Sequence, residues 1–458
     1  MMPLDGRRVL VMGLGLFGGG VGAVRFLCKE GARVTVTDLR PAEALRESLK
    51  ALDTLPVVYR LGGHEAADFR AADLIVANPG VPRSSPFLKD AGKRGIPVTT
   101  EICLFAERCK APVVGITGSS GKTTTTSLAG EMIRRRYPRT MVGGNIGGSL
   151  LNELDEITAD TRVVLELSSF QLDRLTEMKW SPQTAVVTNF APNHLDIHGS
   201  LEVYKRAKRQ IVAHQDVRDV AVLNGDDPEV RRWSGDGRRI VFSAQPASRA
   251  DVYLVDGEIR HRIGGFEKTV CPAGEVALPG KHNLSNALAA SGAALSNGVA
   301  ESDIAAVLRT FKGLSHRLER VAEIRGVTYY NDSIATSPDR TQVALSALPP
   351  GLVLIAGGYD KGLAFSTLGR QIGRRVSHLV LMGQTSDAIA ASVPAGSTTR
   401  ILRADSLDDA VSAAAKRAAP GSTVLFSPAS ASYDRFRNFT ERGDRFRQLV
   451  LDMRTDDG

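Results

Sequence analysis

The chain has 458 residues, a formal net charge of +8 and 43% hydrophobic residues. This length predicts about three domains, and no apolar run reaches the roughly 18 residues of a membrane span. The start, MMPLDGRRVLVMGLG, lacks a signal-peptide layout, and Cys28, Cys103, Cys109 and Cys271 lack metal or disulfide spacing. We therefore expect a cytoplasmic protein with reduced thiols. The dispersed basic charge, without a recognised binding module, argues against nucleic acid as a partner.

A glycine-rich turn lies between two predicted strands near the start. RVLVM from Arg8 runs into Gly13-Leu14-Gly15, a helix follows to Glu30, and ARVTVTD ends at Asp38. This βαβ pattern predicts a Rossmann-like domain that binds a nucleotide-like diphosphate, with Asp38 facing a hydroxyl or a uracil edge. An ordinary tight turn and an NAD site are the alternatives. IPVTTEICLF (96–105) is interpreted as the last strand, which places a domain boundary near residue 108.

The stretch GITGSSGKTTTT (115–126) predicts a phosphate-binding loop. It follows a β-branched segment (112–117) and precedes an expected helix (127–136). Backbone N–H groups of such a loop converge on an anion at the helix N-terminus. Lys122 adds a point charge, and Thr123 adds a hydroxyl for Mg²⁺. Because Ile116 replaces the first glycine of the strict pattern, the loop is a variant, and a flexible linker is the plain alternative.

Polar residues follow two further predicted strands. Glu166 ends RVVLEL, where a carboxylate facing the loop suits a Mg²⁺ ligand. AVVTNFAPNHLDIHGS (185–200) places several polar side chains, among them His194, after another strand. In the helix LEVYKRAKRQIVAHQ, Tyr204 and Lys208 share one face. Neighbouring cations would lower the pKa of Lys208, and its neutral amine could take up CO₂ to form a carbamate.

The third segment alternates strands and helices. GLVLIAGGYDKG (351–362), SHLVLMGQ (377–384) and STVLFSPAS (422–430) read as strands, and LDDAVSAAAKRAA (407–419) reads as a helix. This alternation predicts a parallel, doubly wound sheet. Ser432 could bind a carboxylate, but a helix N-cap role explains it equally well.

The ordered motifs of the chain resemble those of the Mur ligases. The resemblance covers nearly the whole chain and rests on TGSSGKTTT, GNIG (144–147), ELSSFQLD, NHLD, YKRAK, KHNLSNALAA (281–290), HRLE (316–319) and YNDSIAT (330–336). Within the family, ELSSFQL, the N-terminal GLG turn and SPASASYDRFRNFTERGDRF are similar to the member that adds glutamate to UDP-N-acetylmuramoyl-L-alanine. The resemblance implies an α/β fold of three domains. These are a Rossmann-like UDP-sugar domain (1–108), a central P-loop-type ATPase domain (109–312) and a C-terminal Rossmann-like domain that binds the amino acid (313–458).

The resemblance also implies a role for each matching position. The UDP-sugar positions are Gly15, Leu16, Phe17, Asp38, Leu39, Arg40, Asn145, Ser168, Gln171 and His194. The ATP positions are Gly118, Ser119, Ser120, Gly121, Lys122, Thr123, Thr124, Asn283, Asn286, His316, Arg317 and Asp332. The expected ligands of two Mg²⁺ ions are Thr123, Glu166, His194 and N-carboxylated Lys208, and the expected catalytic residues are Lys122, His194 and Lys208. The glutamate positions are Thr336, Lys361, Ser432, Tyr433 and Phe439.

The implied reaction is ATP-dependent amide ligation through an acyl phosphate, by a monomer, during cytoplasmic peptidoglycan precursor synthesis. D-Glutamate is the expected amino acid. Ile334 stands where the family has lysine, so L-glutamate or another amino acid is an alternative, and Arg340 or Lys361 could supply the missing charge. Phe17 also departs from the smaller hydroxyl residue that is common at its position. A P-loop NTPase that is not a ligase, an NAD-dependent dehydrogenase and a nucleotide-sugar-binding regulator are the rival interpretations.

Overall fold

The computed structural model describes residues 3–15, 19–146, 149–193, 198–245, 249–313, 315–360 and 362–454. The chain divides into two compact units, Met1–Phe311 and Lys312–Gly458. The first unit carries a five-stranded and a nine-stranded sheet, and the second carries a six-stranded sheet. The α/β fold class predicted from the sequence is therefore confirmed. Within these described ranges, no helix is both long enough and apolar enough to cross a membrane.

The first sheet is parallel and covered on both faces. Its strands are β1 (Arg8–Met12), β2 (Arg33–Asp38), β3 (Val57–Leu61), β4 (Leu74–Ala77) and β5 (Val98–Thr99), in the spatial order β3-β2-β1-β4-β5. The helices are α1 (Gly19–Lys29), α2 (Arg46–Lys50), α3 (Ala66–Ala71), α4 (Pro86–Lys93) and α5 (Glu101–Arg108). Val9 and Val11 of β1 face one apolar core, and Leu10 and Met12 face another. This alternation buries both faces of the sheet, as parallel sheets require.

The expectation of a strand over 96–105 is wrong for its second half. Only Val98–Thr99 pairs as a strand, and helix α5 begins at Glu101. The Thr100 side chain caps the helix by accepting a hydrogen bond from the Cys103 backbone N–H. Because threonine is a favoured N-cap, the helix begins inside a run of residues that read as β-formers.

The central sheet combines a parallel core with an antiparallel edge. Its strands are β6 (Val113–Thr117), β7 (Thr140–Gly144), β8 (Arg162–Glu166), β9 (Thr184–Val187), β10 (Val220–Asn224), β11 (Arg238–Ser243), β12 (Val252–Val255), β13 (Glu258–His261) and β14 (Lys268–Pro272). The spatial order is β14-β13-β12-β11-β10-β9-β6-β8-β7. The helices are α6 (Lys122–Arg136), α7 (Ser169–Leu175), α8 (Leu201–Ala213), α9 (Lys281–Ser296) and α10 (Glu301–Thr310). Strand β13 runs antiparallel to both of its neighbours, β12 and β14.

A fork of hydrogen bonds joins the turn after β4 to helix α7. The Arg83 guanidinium lies 2.5 Å from Asp173 Oδ2 and 2.5 Å from Glu177 Oε1, and it also donates to the Asp173 carbonyl. Arg174 donates back to the Val81 carbonyl at 2.8 Å. These contacts hold the turn after β4 against helix α7.

The second unit has a six-stranded sheet with one antiparallel edge strand. Its strands are β15 (Glu319–Ile324), β16 (Val327–Asn331), β17 (Leu352–Ala356), β18 (Val376–Leu381), β19 (Arg400–Arg403) and β20 (Thr423–Phe426), in the order β15-β16-β20-β17-β18-β19. The helices are α11 (Pro338–Ala347), α12 (Ser366–Arg375), α13 (Ser386–Ser392), α14 (Leu407–Arg417) and α15 (Phe439–Asp452). Strands β16 to β20 are parallel, as predicted, and β15 pairs antiparallel with β16.

A buried arginine ties helix α15 to two loops of the second unit. Arg442 is 1% exposed and donates to Ser333 Oγ and to the carbonyl oxygens of Ser333, Ser430 and Ala431. Burial lowers the pKa of Arg442 to about 9, so the guanidinium stays charged at neutral pH. Its charge is solvated by backbone carbonyls rather than by a bound carboxylate.

We expect Arg442→Met to lower the free energy of unfolding of the full chain by about 3 kcal/mol, because buried acceptors lose their donor. Chemical denaturation measures this change. Arg445→Met is the matched control on the same helix, where an exposed ion pair with Asp408 contributes little. Equal losses in the two variants would contradict a role for Arg442 in holding the loops.

Candidate functional site

The loop between β6 and α6 is shaped by close backbone approach at two glycines. Gly121 caps helix α6 with a φ of 76°, and a Cβ there would lie 2.2 Å from Asn286 Oδ1. A Cβ on Gly118 would lie 1.9 Å from Thr188 Oγ1. The helix begins at Lys122, earlier than the start near residue 127 that the sequence predicts. Its first turn therefore presents backbone N–H groups that have no intrahelical partner.

Asn189 supports this loop from the end of β9. Its backbone oxygen accepts from the Ser119 N–H at 3.0 Å, and its Oδ1 accepts from the Ser120 N–H at 2.9 Å. Ser119 Oγ also donates to the Ala191 carbonyl and lies 3.0 Å from the Tyr204 hydroxyl. The two serine N–H groups are thus used inside the protein.

Two lysines converge on one backbone carbonyl. Lys122 Nζ donates to the Gly118 oxygen at 3.0 Å, and Lys208 Nζ donates to the same oxygen at 2.8 Å. Lys208 is 1% exposed and also donates to Thr117 Oγ1. Burial, followed by the positive charge of Lys122, holds the pKa of Lys208 well below its ordinary value, and Glu166 opposes this shift. The amine is therefore biased towards its neutral form.

Lys208 differs from the other basic residues of helix α8. Its Nζ lies 5.1 Å from the centroid of the Tyr204 ring, one turn earlier on the same face. Lys205 instead pairs with Glu202 and Glu229 near the surface. The helical period places Lys208 on the same face as Tyr204. The positive charge that helps to lower the pKa of Lys208 is that of Lys122, which follows the glycine loop and lies outside helix α8.

Glu166 ends β8 beside β6 and is almost fully buried. Its Oε1 accepts from Asn145 Nδ2 at 2.8 Å, and its Oε2 has no hydrogen-bond partner. An unpaired buried carboxylate oxygen is unfavourable unless a cation satisfies it, so this position fits a metal ion. In the part of the chain that the structure describes, no group of three His, Cys, Asp or Glu side chains could hold a metal. Besides Glu166, an ion here would need the Thr123 hydroxyl, a carboxylated Lys208 or residues outside the described ranges.

Two polar residues near Glu166 are used to begin helix α7. Ser168 Oγ accepts from the Gln171 backbone N–H, and Gln171 Oε1 accepts from the Ser168 N–H at 2.9 Å. This reciprocal capping box is a structural role for both residues. Across the phosphate loop, Asn286 accepts from Thr125 Oγ1 and donates to Asn283, which itself donates to the Pro279 carbonyl.

Asp38 organises the glycine turn of the first sheet. Its Oδ2 accepts from the backbone N–H groups of Leu14 and Gly15, and its Oδ1 accepts from that of Arg40. The residue is 3% exposed. Both oxygens are therefore engaged inside the protein rather than held open for a ligand, whereas Leu39 beside it is 69% exposed.

The second unit gathers its candidate residues around the ends of β16 and β20. Asp332 Oδ1 accepts from the Leu318 N–H, and its Oδ2 accepts from Ser427 Oγ at 2.7 Å. Burial raises the pKa of Asp332 to about 7. His316 is buried with a φ of 64°, and burial lowers its pKa. Arg317 is half-buried next to it in the chain.

Three of the expected glutamate positions, Thr336, Ser432 and Tyr433, lie on two loops that Arg442 joins. Thr336 is half-buried on the loop after β16, and Ser432 is buried on the loop after β20. Tyr433 is exposed, with its ring centroid 6.1 Å from that of Tyr359. Phe439 begins helix α15, and its carbonyl accepts from Ser333 Oγ. Sequence reasoning missed Arg442 because no local pattern separates it from the other arginines of its helix.

Some of the remaining expected site residues lie in the described ranges, and others lie outside them. The two threonines expected at the ATP site, Thr123 and Thr124, both lie half-buried in the first turn of helix α6, directly after Lys122. Four expected site residues lie outside the described residues: Leu16, Phe17, His194 and Lys361. The roles of these four residues therefore stay predictions from the sequence.

Three domain families match successive parts of the chain. These are the Mur ligase MurD-like N-terminal domain over residues 7–100, the Mur ligase middle domain over 116–294 and the Mur ligase glutamate ligase domain over 316–430. A UDP-N-acetylmuramoylalanine–D-glutamate ligase of Roseiflexus sp. is 44% identical, covering 98% of this chain and 99% of its own. A ligase of the same name from Symbiobacterium thermophilum is 42% identical, covering 97% of each chain.

Solved structures share the fold. A UDP-N-acetylmuramate-alanine ligase from Thermotoga maritima superposes with a TM-score of 0.59 at 19% identity, over 98% of this chain and 100% of that one. A pseudomurein peptide ligase type C from Methanothermus fervidus gives a TM-score of 0.55 at 18% identity, with the same coverage. At these identities the likeness establishes the α/β architecture alone.

The raised pKa of Asp332 predicts a pH-dependent stability. Folded Asp332 keeps its proton up to pH of about 7, whereas the unfolded chain releases it near 3.8, so stability falls as pH rises between these values. We expect Asp332→Asn to remove this fall, which amounts to at most about 4 kcal/mol. Denaturant titrations from pH 4 to pH 8 measure it. Asp339→Asn, which removes an exposed carboxyl nearby, is the control, and parallel curves for wild type and Asp332→Asn would contradict the assignment.

Proposed function

The chain belongs to the Mur ligase family, and we propose that it is an ATP-dependent ligase that joins D-glutamate to UDP-N-acetylmuramoyl-L-alanine. Relatives that are 38–44% identical over nearly the full chain are UDP-N-acetylmuramoylalanine–D-glutamate ligases. The reaction passes the γ-phosphoryl group of ATP to the muramoyl-alanine carboxylate. The amine of glutamate then attacks the acyl phosphate, and the C–N bond forms as phosphate leaves.

One observation carries this proposal: two lysines and an unpaired buried carboxylate oxygen surround a glycine loop at the carboxyl ends of β6 and β8. Phosphoryl transfer between two anions needs positive charge at this point. Two unit charges 4 Å apart repel by about 4 kcal/mol at an effective dielectric of 20. The helix dipole contributes only about 0.3–1 kcal/mol, so Lys122 supplies the larger share of the protein's own compensation.

We propose that Thr123, Glu166, His194 and a carboxylated Lys208 hold two Mg²⁺ ions. The unpaired Glu166 Oε2 supports a cation at this place. The lowered pKa of Lys208 supports carboxylation, because only the neutral amine adds CO₂; a C–N bond forms, a proton leaves and a carbamate anion remains. When bound, the metal neutralises charge on the phosphate oxygens. Lys122 then orients the transferring group from the loop.

In the second unit, we propose that Thr336, Lys361, Ser432, Tyr433 and Phe439 bind glutamate, and that His316, Arg317 and Asp332 have ATP-binding roles. For the first unit, we propose an ATP-binding role for Asn283 and Asn286. Arg340 Nη1 donates to the Ile334 carbonyl at 3.0 Å, and its charge acts on Asp332. Arg340 is therefore the side chain that we assign to the charge missing at Ile334.

The UDP-sugar site is assigned to Gly15, Leu16, Phe17, Asp38, Leu39 and Arg40, with Asn145, Ser168, Gln171 and His194 nearer the reacting end. Asp38 acts there by shaping the turn, since its oxygens bind backbone N–H groups. We propose three functional domains, 1–108, 109–312 and 313–458, in a monomer that works in the cytoplasm on peptidoglycan precursors.

The ligase assignment predicts that phosphate release requires both UDP-N-acetylmuramoyl-L-alanine and an amino acid, with D-glutamate preferred over L-glutamate. With ¹⁸O in the muramoyl-alanine carboxylate, we expect one labelled oxygen in the released phosphate. Lys122→Met should lower kcat by about 100-fold or more, because charge stabilisation of the transition state is lost. Lys205→Met is the matched control. ATP hydrolysis that is indifferent to the amino acid would instead identify an NTPase.

The carbamate assignment predicts that Lys208→Ala loses activity and regains part of it when a short carboxylate such as acetate is added. The small acid would fill the cavity and restore the anion. Wild-type activity should also fall in buffer depleted of CO₂. Lys205→Ala should respond to neither treatment. If acetate does not restore activity to Lys208→Ala and CO₂ depletion does not lower wild-type activity, Lys208 acts only as a positioning amine.

A further inference from the structure

A second group of cations lies on the central sheet, away from the phosphate loop. Four arginines, Arg231, Arg232, Arg239 and Arg249, line a cleft of about 400 Å³ together with Gly225 and Ser243. Gly225 follows β10, and Ser243 ends β11. In the sheet order, β9 and β10 separate β11 from β6, which leads into the phosphate loop. None of these residues belongs to the site described above.

The four guanidinium groups are only partly neutralised: Arg232 interacts electrostatically with Glu229, whose Oε1 accepts from Trp233 and whose Oε2 pairs with Lys205. All four arginines are exposed, and within the described ranges none of them forms an ion pair. Arg239 Nη2 donates to the Arg231 carbonyl at 2.8 Å, which fixes one side chain along the wall of the cleft. The arrangement therefore concentrates positive charge in a concave surface.

Three carboxylates close to the cleft in the chain are engaged by hydrogen bonds, and one of them, Asp251, accepts from the Val241 N–H of the cleft lining. Asp227 Oδ1 accepts from the N–H groups of Glu229 and Val230, and its Oδ2 accepts from that of Phe190. Asp226 accepts from the Ser243 hydroxyl and from the Ala244 N–H. These acids shape the loops that carry the arginines and are held there by hydrogen bonds. Most of the positive charge in the cleft thus stays available to an external anion.

We propose that this arginine cleft binds an oligophosphate group, separately from the phosphate loop. Guanidinium forks match phosphate oxygens in pairs, and they do so better than ammonium groups. Four crowded cations favour a ligand that carries several adjacent negative charges over a single carboxylate. The volume suits a small molecule of the size of a tripolyphosphate or a nucleotide phosphate chain. The sources that share this chemistry are free oligophosphates and nucleotides.

The test is calorimetric titration of the full chain with inorganic tripolyphosphate, in a Lys122→Ala background that weakens the phosphate loop. We expect the variant Arg231→Gln/Arg232→Gln/Arg249→Gln to bind at least about tenfold more weakly, since charge-assisted hydrogen bonds are lost. The control Arg135→Gln/Arg139→Gln/Arg238→Gln removes the same charge from exposed positions outside the cleft and should change the affinity by less than about twofold. Equal losses in the two variants, or no binding in the background, would overturn the proposal.

Two further ligands identify the source of the phosphate. Tighter binding of ATP than of tripolyphosphate by the same background protein, with the difference lost in the Arg231→Gln/Arg232→Gln/Arg249→Gln variant, would identify a nucleotide, and equal binding would identify a free oligophosphate. Preference for a single-stranded oligonucleotide over both would replace the proposal with nucleic-acid binding. The cleft variant should keep its ligase activity in the Lys122 wild-type background, so the outcome is independent of the proposed reaction.

Discussion

The shared hydrogen bond acceptor at Gly118 is the constraint on which the glycine-loop end of the central sheet depends. Lys122 and Lys208 both donate to this one carbonyl oxygen. Two full charges so close together repel, and burial adds a desolvation cost to one of them. The lower-energy arrangement is one charged lysine near the surface and one neutral lysine inside, which is the direction in which the pKa of Lys208 moves.

Backbone carbonyls accept hydrogen bonds from three basic side chains that matter for this protein, Lys122, Lys208 and Arg442. Gly118 accepts from the two lysines, and the carbonyls of Ser333, Ser430 and Ala431 accept from Arg442. A carbonyl dipole stabilises a cation without cancelling its charge. In contrast, the surface arginine Arg83 binds full carboxylates and serves to join structural elements. Carbonyl acceptors thus leave the charge of a cation in place, whereas carboxylate acceptors cancel it.

Local sequence patterns predicted the elements that lie next to the candidate site, because strand, glycine turn and helix follow one another within a few residues. The i,i+4 spacing placed Lys208 with Tyr204. The helix at Glu101 was missed because one side-chain cap outweighs the β-propensity of its neighbours. At Asp38, spacing reveals that an acid is present but not which N–H groups it accepts from. Asn189 and Arg442 act across sequence separations of 69 and 109 residues, which no local pattern encodes.

The unpaired oxygen of Glu166 defines where a cation would lie relative to the glycine loop. Its Oε1 is fixed by Asn145, so the carboxylate cannot turn to satisfy Oε2 without breaking that bond. Strand β8 ends at Glu166 in register with Ile116 of β6, which holds this oxygen at the same sheet edge as the glycine loop. A neutral Lys208 cannot compensate the carboxylate fully, and Lys122 is directed to the loop carbonyl. A further cation between the ends of β6 and β8 would complete the local charge balance, and there it would lie at the same sheet edge as the glycine loop.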